Sequence, residues 1–136
     1  MKAGGWIRFT AYGIPQPKGS TKAFVVKGKA VTTSDNTKLR PWHEVVAYVA
    51  QGYRPRDGLL QGPVVVELLF YLLRPKSVSM KKRPLPTVKP DLDKLTRGVC
   101  DALKGTIYGD DSQVVSMKVD KVYGNPPRVE VSVREA

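Results

Sequence analysis

The sequence predicts an α+β fold: one domain spanning residues 1–136, with a mixed β-sheet and two main helices in the order β-β-β-α-β-α-β-β. Three observations predict it. Apolar residues alternate in short runs near both ends of the chain, and two inner segments have helical spacing. The last two strand-like runs are joined by the tight turn "GNPP", which favours an antiparallel pair over a doubly wound sheet. A chain of 136 residues is long enough for one hydrophobic core.

The first half of the chain contains three short strand-like runs and one helical pattern. The stretch from Trp6 to Gly13 alternates and predicts a strand, and "IPQPKGSTK" predicts a basic loop. "AFVVKGKAVTT" predicts a hairpin around Lys27 and Gly28. The apolar positions that then indicate the first helix are Leu39, Trp42, Val46, Val49 and Tyr53, with Pro41 tolerated only in the first turn.

The second half alternates strand, helix and strand. The residues from Pro63 to Leu73 are almost all apolar and predict a central strand buried on both faces. A long basic loop from Arg74 to Pro90 follows, and it precedes a helix from about Asp91 to Lys104 that ends at Gly105. The turn "TIYGDDSQVV" then leads into an alternating strand, and "RVEVSV" forms the last one.

The charge of the chain points to a polyanionic partner. Lys and Arg number 23 against 12 Asp and Glu, so the formal net charge is +11. Nucleic acid is therefore the first partner to consider and an anionic membrane surface the second. No apolar run approaches the roughly 18 residues of a spanning helix, and the N-terminal residues lack the apolar stretch of a signal peptide. We expect a cytoplasmic protein without a membrane partner, with Cys100 as a buried thiol.

Two acidic pairs are candidates for chemistry. Asp91 and Asp93 fall where the second helix begins, and Asp110 and Asp111 fall in the turn after it. Aspartates at these places are commonly helix caps or turn residues. Alternatively, the two pairs converge and hold a divalent cation, which would neutralise their mutual repulsion. Oxygen ligands without a Cys/His cluster select Mg²⁺, with Mn²⁺ as a possible substitute.

The surroundings of these pairs are basic, which suits a substrate whose phosphates must approach acidic ligands. No rival site is evident. His43 is the only histidine and lies in an amphipathic helix, "GDDS" lacks the base that a serine nucleophile requires, and no glycine-rich nucleotide loop occurs. We therefore expect no nucleotide cofactor.

The segment "KPDLDKLTRGVCDALKGTIYGDDSQVV", from Lys89 to Val115, resembles the central motif of the RusA-type Holliday junction resolvases. Their pattern is a basic residue, D-x-D-N-L-x-K, D-A-L, then an aromatic residue and D-D-x-Q-V. Weaker similarity extends to "GIPQPKGS" and to Lys121. The resemblance implies a small homodimeric, Mg²⁺-dependent endonuclease that cuts branched, four-way DNA in a bacterial or phage-infected cell.

Residue by residue, the resemblance implies that Asp91, Asp93 and Asp111 are catalytic metal ligands, with Asp110 as a fourth candidate. Arg97 stands where the family has a functionally important lysine, and arginine cannot donate a proton at neutral pH. Lys94 replaces the usual asparagine. The side chains expected to contact DNA are Lys18, Lys76, Lys81, Lys82, Arg83, Lys89, Lys94 and Lys121.

Two other functions remain open at this point. The chain could be a basic nucleic-acid-binding module without catalysis, its aspartates serving only as caps. It could instead be a related nuclease that acts on flaps or other branched DNA. For a junction resolvase, two matched cuts on a nearly two-fold symmetric substrate favour a C₂ dimer with one site in each subunit.

Overall fold

A computed structural model describes residues 5–19, 21–34 and 36–136, and for residues 21–26 and 30–34 it describes only the backbone. The described residues form six strands and two helices. The strands are β1 (Ile7–Tyr12), β2 (Thr21–Val26), β3 (Lys29–Ser34), β4 (Val64–Leu72), β5 (Val114–Tyr123) and β6 (Arg128–Glu135). The helices are α1 (Leu39–Gln51) and α2 (Leu92–Leu103), and a 3₁₀ turn covers Asp111–Gln113. This is the mixed α/β architecture and the element order that the sequence predicts.

The main sheet has the strand order β1-β6-β4-β5. β6 pairs antiparallel with β1 and β4, whereas β4 pairs parallel with β5. Parallel neighbours cannot be joined by a tight turn, so the chain must cross over between them, and α2 lies on that crossover. β2 and β3 form a separate hairpin. Its turn has positive φ angles at Lys27 and Gly28, as a two-residue hairpin loop requires.

The core lies on one face of the sheet. Alternate residues of β4 are buried and join one cluster with the inner residues of α1 and α2. The residues between them, Val65, Glu67, Leu69 and Tyr71, are only partly buried. The central position predicted for β4 is therefore confirmed, but its predicted burial on both faces is wrong. An antiparallel neighbour allows one sheet face to meet solvent, whereas the apolar run had indicated a strand covered on both sides.

β5 is an edge strand with an irregular start. Val64 lies opposite Val114 but Val65 lies opposite Ser116, so Val115 is an extra residue in the strand. Such a bulge redirects the strand locally. Val115 and Met117 are 63% and 41% exposed to solvent. The predicted strand therefore forms, but its apolar side chains are less covered than those of β4.

The N-terminal loop crosses α2 at Gly98. The backbone N–H of Lys18 donates to the carbonyl of Lys94 at 2.9 Å, and the Lys18 ammonium pairs with Asp101 at 2.6 Å. A Cβ atom at Gly98 would lie 3.0 Å from the carbonyl oxygen of Gln16. The absence of a side chain at Gly98 is what allows the loop to approach the helix this closely.

The basic loop after β4 is organised around Arg74. Its guanidinium donates to the carbonyls of Ser79, Arg83 and Pro84, and it lies 4.2 Å from the ring centre of Tyr123. Arg74 is thus an internal brace of the loop that leads into α2. No helix within the described ranges is long and apolar enough to cross a bilayer.

Gly98→Ala is expected to destabilise the protein although it lies inside a helix. Alanine normally stabilises a helix interior by about 0.5–1 kcal/mol relative to glycine. Here the new methyl group meets a backbone carbonyl, and overpacking costs about 1–3 kcal/mol. Thermal unfolding should show a lower Tm than wild type, with Gly19→Ala, whose Cβ would contact nothing within 4 Å, as the matched control. A Tm raised by Gly98→Ala would contradict the described crossing.

Candidate active site

A cavity of about 540 Å³ lies between α2 and β5. One stripe of α2 lines it at helical spacing with Asp93, Thr96, Arg97, Cys100 and Asp101. The opposite wall consists of Asp111, Val114, Met117 and Val119, and Lys18 reaches in from the N-terminal loop. The cavity thus brings together Asp93 and Asp111, one from each of the two acidic pairs.

Asp91 occupies the N-cap position of α2 without using its side chain as a cap. Its backbone is extended, with φ −71° and ψ 142°, and its carbonyl accepts from the N–H groups of Lys94 and Leu95, both at 3.1 Å. Among the described residues, no backbone N–H donates to the Asp91 carboxylate. The capping interpretation is therefore right for the backbone and wrong for the side chain. Asp91 lines a groove that Lys89 and Lys94 also line.

Asp93 is exposed in the first turn of α2. The ammonium of Lys94 donates to its Oδ2 at 3.0 Å, and this hydrogen bond lowers the pKa of the Asp93 carboxyl. Asp93 is therefore ionised at neutral pH. Lys94 supplies the neighbouring positive charge.

The two residues of the second acidic pair, Asp110 and Asp111, have different environments. The Asp110 carboxylate accepts from the N–H of Ser112 at 2.9 Å and so caps the 3₁₀ turn. Hydrogen bonding from the Ser112 side chain, and to a lesser extent from its backbone N–H, lowers the pKa of Asp110. Asp111 faces the cavity, and its Oδ1 accepts from the Tyr108 hydroxyl at 3.3 Å. Tyr108 is fully buried. A metal-ligand role for Asp110 stays a prediction, while its capping role is visible.

Gln113 ties the acidic turn to the rest of the protein through four hydrogen bonds. Its Oε1 accepts from the N–H groups of Gly109 and Asp110 at 2.8 and 2.9 Å. Its Nε2 donates to the carbonyls of Leu60 and Gly62, both at 2.9 Å. The sequence patterns assign no role to Gln113 or Tyr108. The available signal was the capping-box spacing D-x-x-Q from Asp110 to Gln113.

Cys100 is buried beside this turn, as predicted. Burial raises the pKa of its thiol to about 11. The thiol is therefore protonated at neutral pH and is a poor metal ligand there. The ionised groups of the cavity offer a metal oxygen atoms only.

The predicted DNA-binding residues fall into two groups. The side chains of Lys76, Lys81, Lys82 and Lys89 are exposed and make no ion pair or hydrogen bond within the described part of the chain. The other four contact the protein: Lys18 pairs with Asp101, Lys94 with Asp93, Arg83 donates to the Tyr123 hydroxyl, and Lys121 donates to backbone carbonyls. Binding of DNA by all eight stays a prediction.

The cavity fits a hard cation that completes its coordination elsewhere. Across the described ranges, no three Asp, Glu, His or Cys side chains are close enough to hold a metal ion by themselves. Mg²⁺ does not require such a cage, since it is usually bound by one or two carboxylates, waters and substrate phosphates. Asp93 and Asp111 line the cavity and supply carboxylates of this kind, whereas Asp91 lines a separate groove and Asp101 pairs with Lys18 and Lys104.

Comparison with known proteins places both acidic segments inside a recognised family region. The family model described as "Endodeoxyribonuclease RusA" matches residues 14–134. The chain is also 42% identical over 138 residues to a protein of Bacillus subtilis (strain 168) named "Uncharacterized protein YqaN". That match covers 95% of this chain and 96% of the relative.

Gln113→Glu is expected to loosen the acidic turn. The carboxylate can still accept from Gly109 and Asp110, but it would confront the Leu60 and Gly62 carbonyls without a donor. Leaving such groups unpaired costs about 1–3 kcal/mol, measurable as a lower free energy of unfolding in urea. Gln51→Glu, an exposed change of the same kind, should leave that value within about 0.5 kcal/mol of wild type. Equal stability of the two variants would show that the two Nε2 bonds do not stabilise the turn.

Proposed function

The chain belongs to the RusA family of endodeoxyribonucleases, and from this premise we propose that it is a Mg²⁺-dependent enzyme that resolves Holliday junctions by paired, symmetric phosphodiester hydrolysis in recombination and repair. The observation that carries the proposal is that Asp93 and Asp111 line one cavity. In addition, the Asp91 carboxylate makes no capping hydrogen bond to α2. Aspartates that served only as caps would not leave these two carboxylates facing a shared cavity.

The substrate is expected to approach from the side of the exposed lysines. Lys76, Lys81 and Lys82 lie in the loop before α2, and Lys89 stands next to Asp91. Each lysine that contacts a phosphate releases condensed counterions, so binding would weaken steeply as salt rises. The positive loop thereby offsets the repulsion between the DNA backbone and the carboxylates of the cavity.

Asp93, Asp111 and Asp91 are the residues that would hold Mg²⁺, and the proposal does not require Asp110, whose carboxylate caps the 3₁₀ turn. When bound, Mg²⁺ supplies charge neutralisation at the scissile phosphate and lowers the pKa of an attacking water. Asp111 is kept in place by Tyr108 and by the turn that Gln113 anchors. Arg97 faces the same cavity, and its permanent charge suits a phosphate oxygen rather than the transfer of a proton.

The matched cuts that resolve a junction suggest a dimer. One chain provides one acidic cavity, and a four-way junction presents two equivalent strands across its centre. A C₂ dimer places one cavity at each of them. Sedimentation equilibrium of the free protein would test this part of the proposal, with a mass of twice 15.0 kDa expected.

Asp91→Asn and Asp111→Asn are expected to abolish cleavage of a mobile four-way junction while leaving junction binding intact or tighter. Removing a residue that hydrogen-bonds a metal ligand typically lowers metal affinity or activity by about 10–100-fold. Removing a ligand itself should therefore lower the cleavage rate by more than about 100-fold. Binding is retained because each change removes a negative charge that repels phosphate. Gel assays with Mg²⁺, with EDTA, and with linear duplex and flap controls measure both properties.

Asp120→Asn is the matched control, because Asp120 lies on β5 but pairs with Lys118 away from the cavity. It should cleave like wild type. Full activity of Asp91→Asn and Asp111→Asn would refute the assignment of these carboxylates. A wild-type protein that binds DNA in a salt-sensitive manner but cuts nothing with Mg²⁺ or Mn²⁺ would favour a binding module. Cleavage of flaps with equal efficiency would favour a broader branched-DNA nuclease.

A further inference from the structure

Lys121 has a different environment from the lysines of the basic loop. It lies on β5 opposite Phe70, a buried residue of β4, so its side chain emerges on the sheet face that α2 covers. Its ammonium donates to the carbonyl oxygens of Val88 and Pro90, both at 2.8 Å. Two of its three N–H donors are thus used inside the protein.

These two carbonyls belong to the backbone directly before Asp91. The extended conformation of Asp91 directs its own carbonyl into α2, where it accepts from the N–H groups of Lys94 and Leu95. The carbonyl of Pro90 precedes that turn, and a lysine ammonium is the group that holds it. Charge-assisted hydrogen bonds are shorter and stronger than neutral ones, so this contact fixes the approach of the chain to the helix.

Lys118, three positions earlier on β5, shows the contrast. It lies opposite Glu67 on the other face of the sheet, its side chain is 74% exposed, and it pairs with Asp120 at 3.0 Å. Lys118 and Lys121 therefore carry the same charge on the same strand, but only Lys121 reaches the acidic segment. The pair provides a matched comparison.

We propose that Lys121 is a positioning residue for Asp91, which clamps the backbone from Val88 to Pro90 against β5, and not a contact to DNA phosphate. The sequence had led us to expect that Lys121 contacts DNA, and this proposal replaces that expectation. The metal-ligand role of Asp91 on which it rests comes from the proposed function. Two side chains in and next to β5 then hold the acidic segments in place. Gln113, just before the strand, anchors the turn that carries Asp111, and Lys121, near the end of the strand, holds the segment that carries Asp91.

The test compares Lys121→Met with Lys118→Met. Hydrogen exchange measured by mass spectrometry should rise in peptides covering residues 84–95 of Lys121→Met, because the clamp is removed, and should not rise in Lys118→Met. Mn²⁺ titration followed by electron paramagnetic resonance should give a dissociation constant 10–100-fold higher for Lys121→Met, the range expected when a support of a metal ligand is removed. Lys118→Met should bind Mn²⁺ like wild type.

The salt dependence of junction binding separates a clamp from a phosphate-binding side chain. Measured in EDTA, the slope of log K against log salt falls by about 0.9 in magnitude for each DNA phosphate that the protein no longer neutralises. Lys121→Met is expected to keep the wild-type slope, whereas the slope of Lys82→Met, in the exposed loop, is expected to fall by about that amount. A reduced slope for Lys121→Met, with unchanged exchange in residues 84–95, would overturn the proposal.

Two further variants keep the test decisive. Lys121→Arg retains a cation with several donors, but its planar guanidinium differs in shape from an ammonium, so its Mn²⁺ affinity should lie between those of Lys121→Met and wild type. An affinity below that of Lys121→Met would contradict the clamp. Lys121→Gln keeps one amide donor group and replaces Lys121→Met if the latter unfolds. Hydrogen exchange requires neither metal nor cleavage. A wild-type protein that fails to cut junctions would therefore count against the proposed function, while exchange would still decide the clamp.

Discussion

The parallel pairing of β4 with β5 determines where α2 and the acidic residues lie. Parallel neighbours require a crossover, so α2 has to lie against the sheet between them. Asp91 lies where the chain enters α2, Asp93 lies in the first turn of α2, and Asp111 lies in the turn after it. Because α2 then packs beside the edge strand, one of its stripes and the start of β5 enclose a common cavity.

The same arrangement separates carboxylates that hold the backbone from carboxylates that face the cavity. Asp110 caps the 3₁₀ turn, so its neighbour Asp111 is directed towards α2. At the other end of the crossover, the N-cap position of α2 is formed by the backbone of Asp91, and its carboxylate remains available. Support that a cap would normally provide comes from Lys121 on the segment before Asp91 and from Gln113 on the turn before β5.

The sequence predicted the order of elements because strand alternation and helical spacing are local patterns. It singled out Asp93 and Asp111, which line the cavity, but it missed Asp101, which also lines it, and it included Asp91 and Asp110, which do not. Helical spacing located α2 to within one residue at either end, and alternation located the strands. The burial of β4 was harder to predict, because its apolar run does not show that one face of the strand lacks a covering helix. The roles of Lys121 and Gln113 depend on carbonyls far away in the sequence, at Val88 and Leu60, and a charge count treats Lys121 like any exposed lysine.

The proposed metal site is tested most directly by the Mn²⁺ affinity of the variants Asp93→Asn, Asp111→Asn and Asp110→Asn, measured without DNA by electron paramagnetic resonance. Asparagine caps a turn as well as aspartate does, so Asp110→Asn removes charge without removing the cap. We expect Asp93→Asn and Asp111→Asn each to weaken Mn²⁺ binding by at least about 10-fold, and Asp110→Asn to remain within about twofold of wild type. Loss of affinity in Asp110→Asn alone, with the other two unchanged, would contradict this assignment of the ligands.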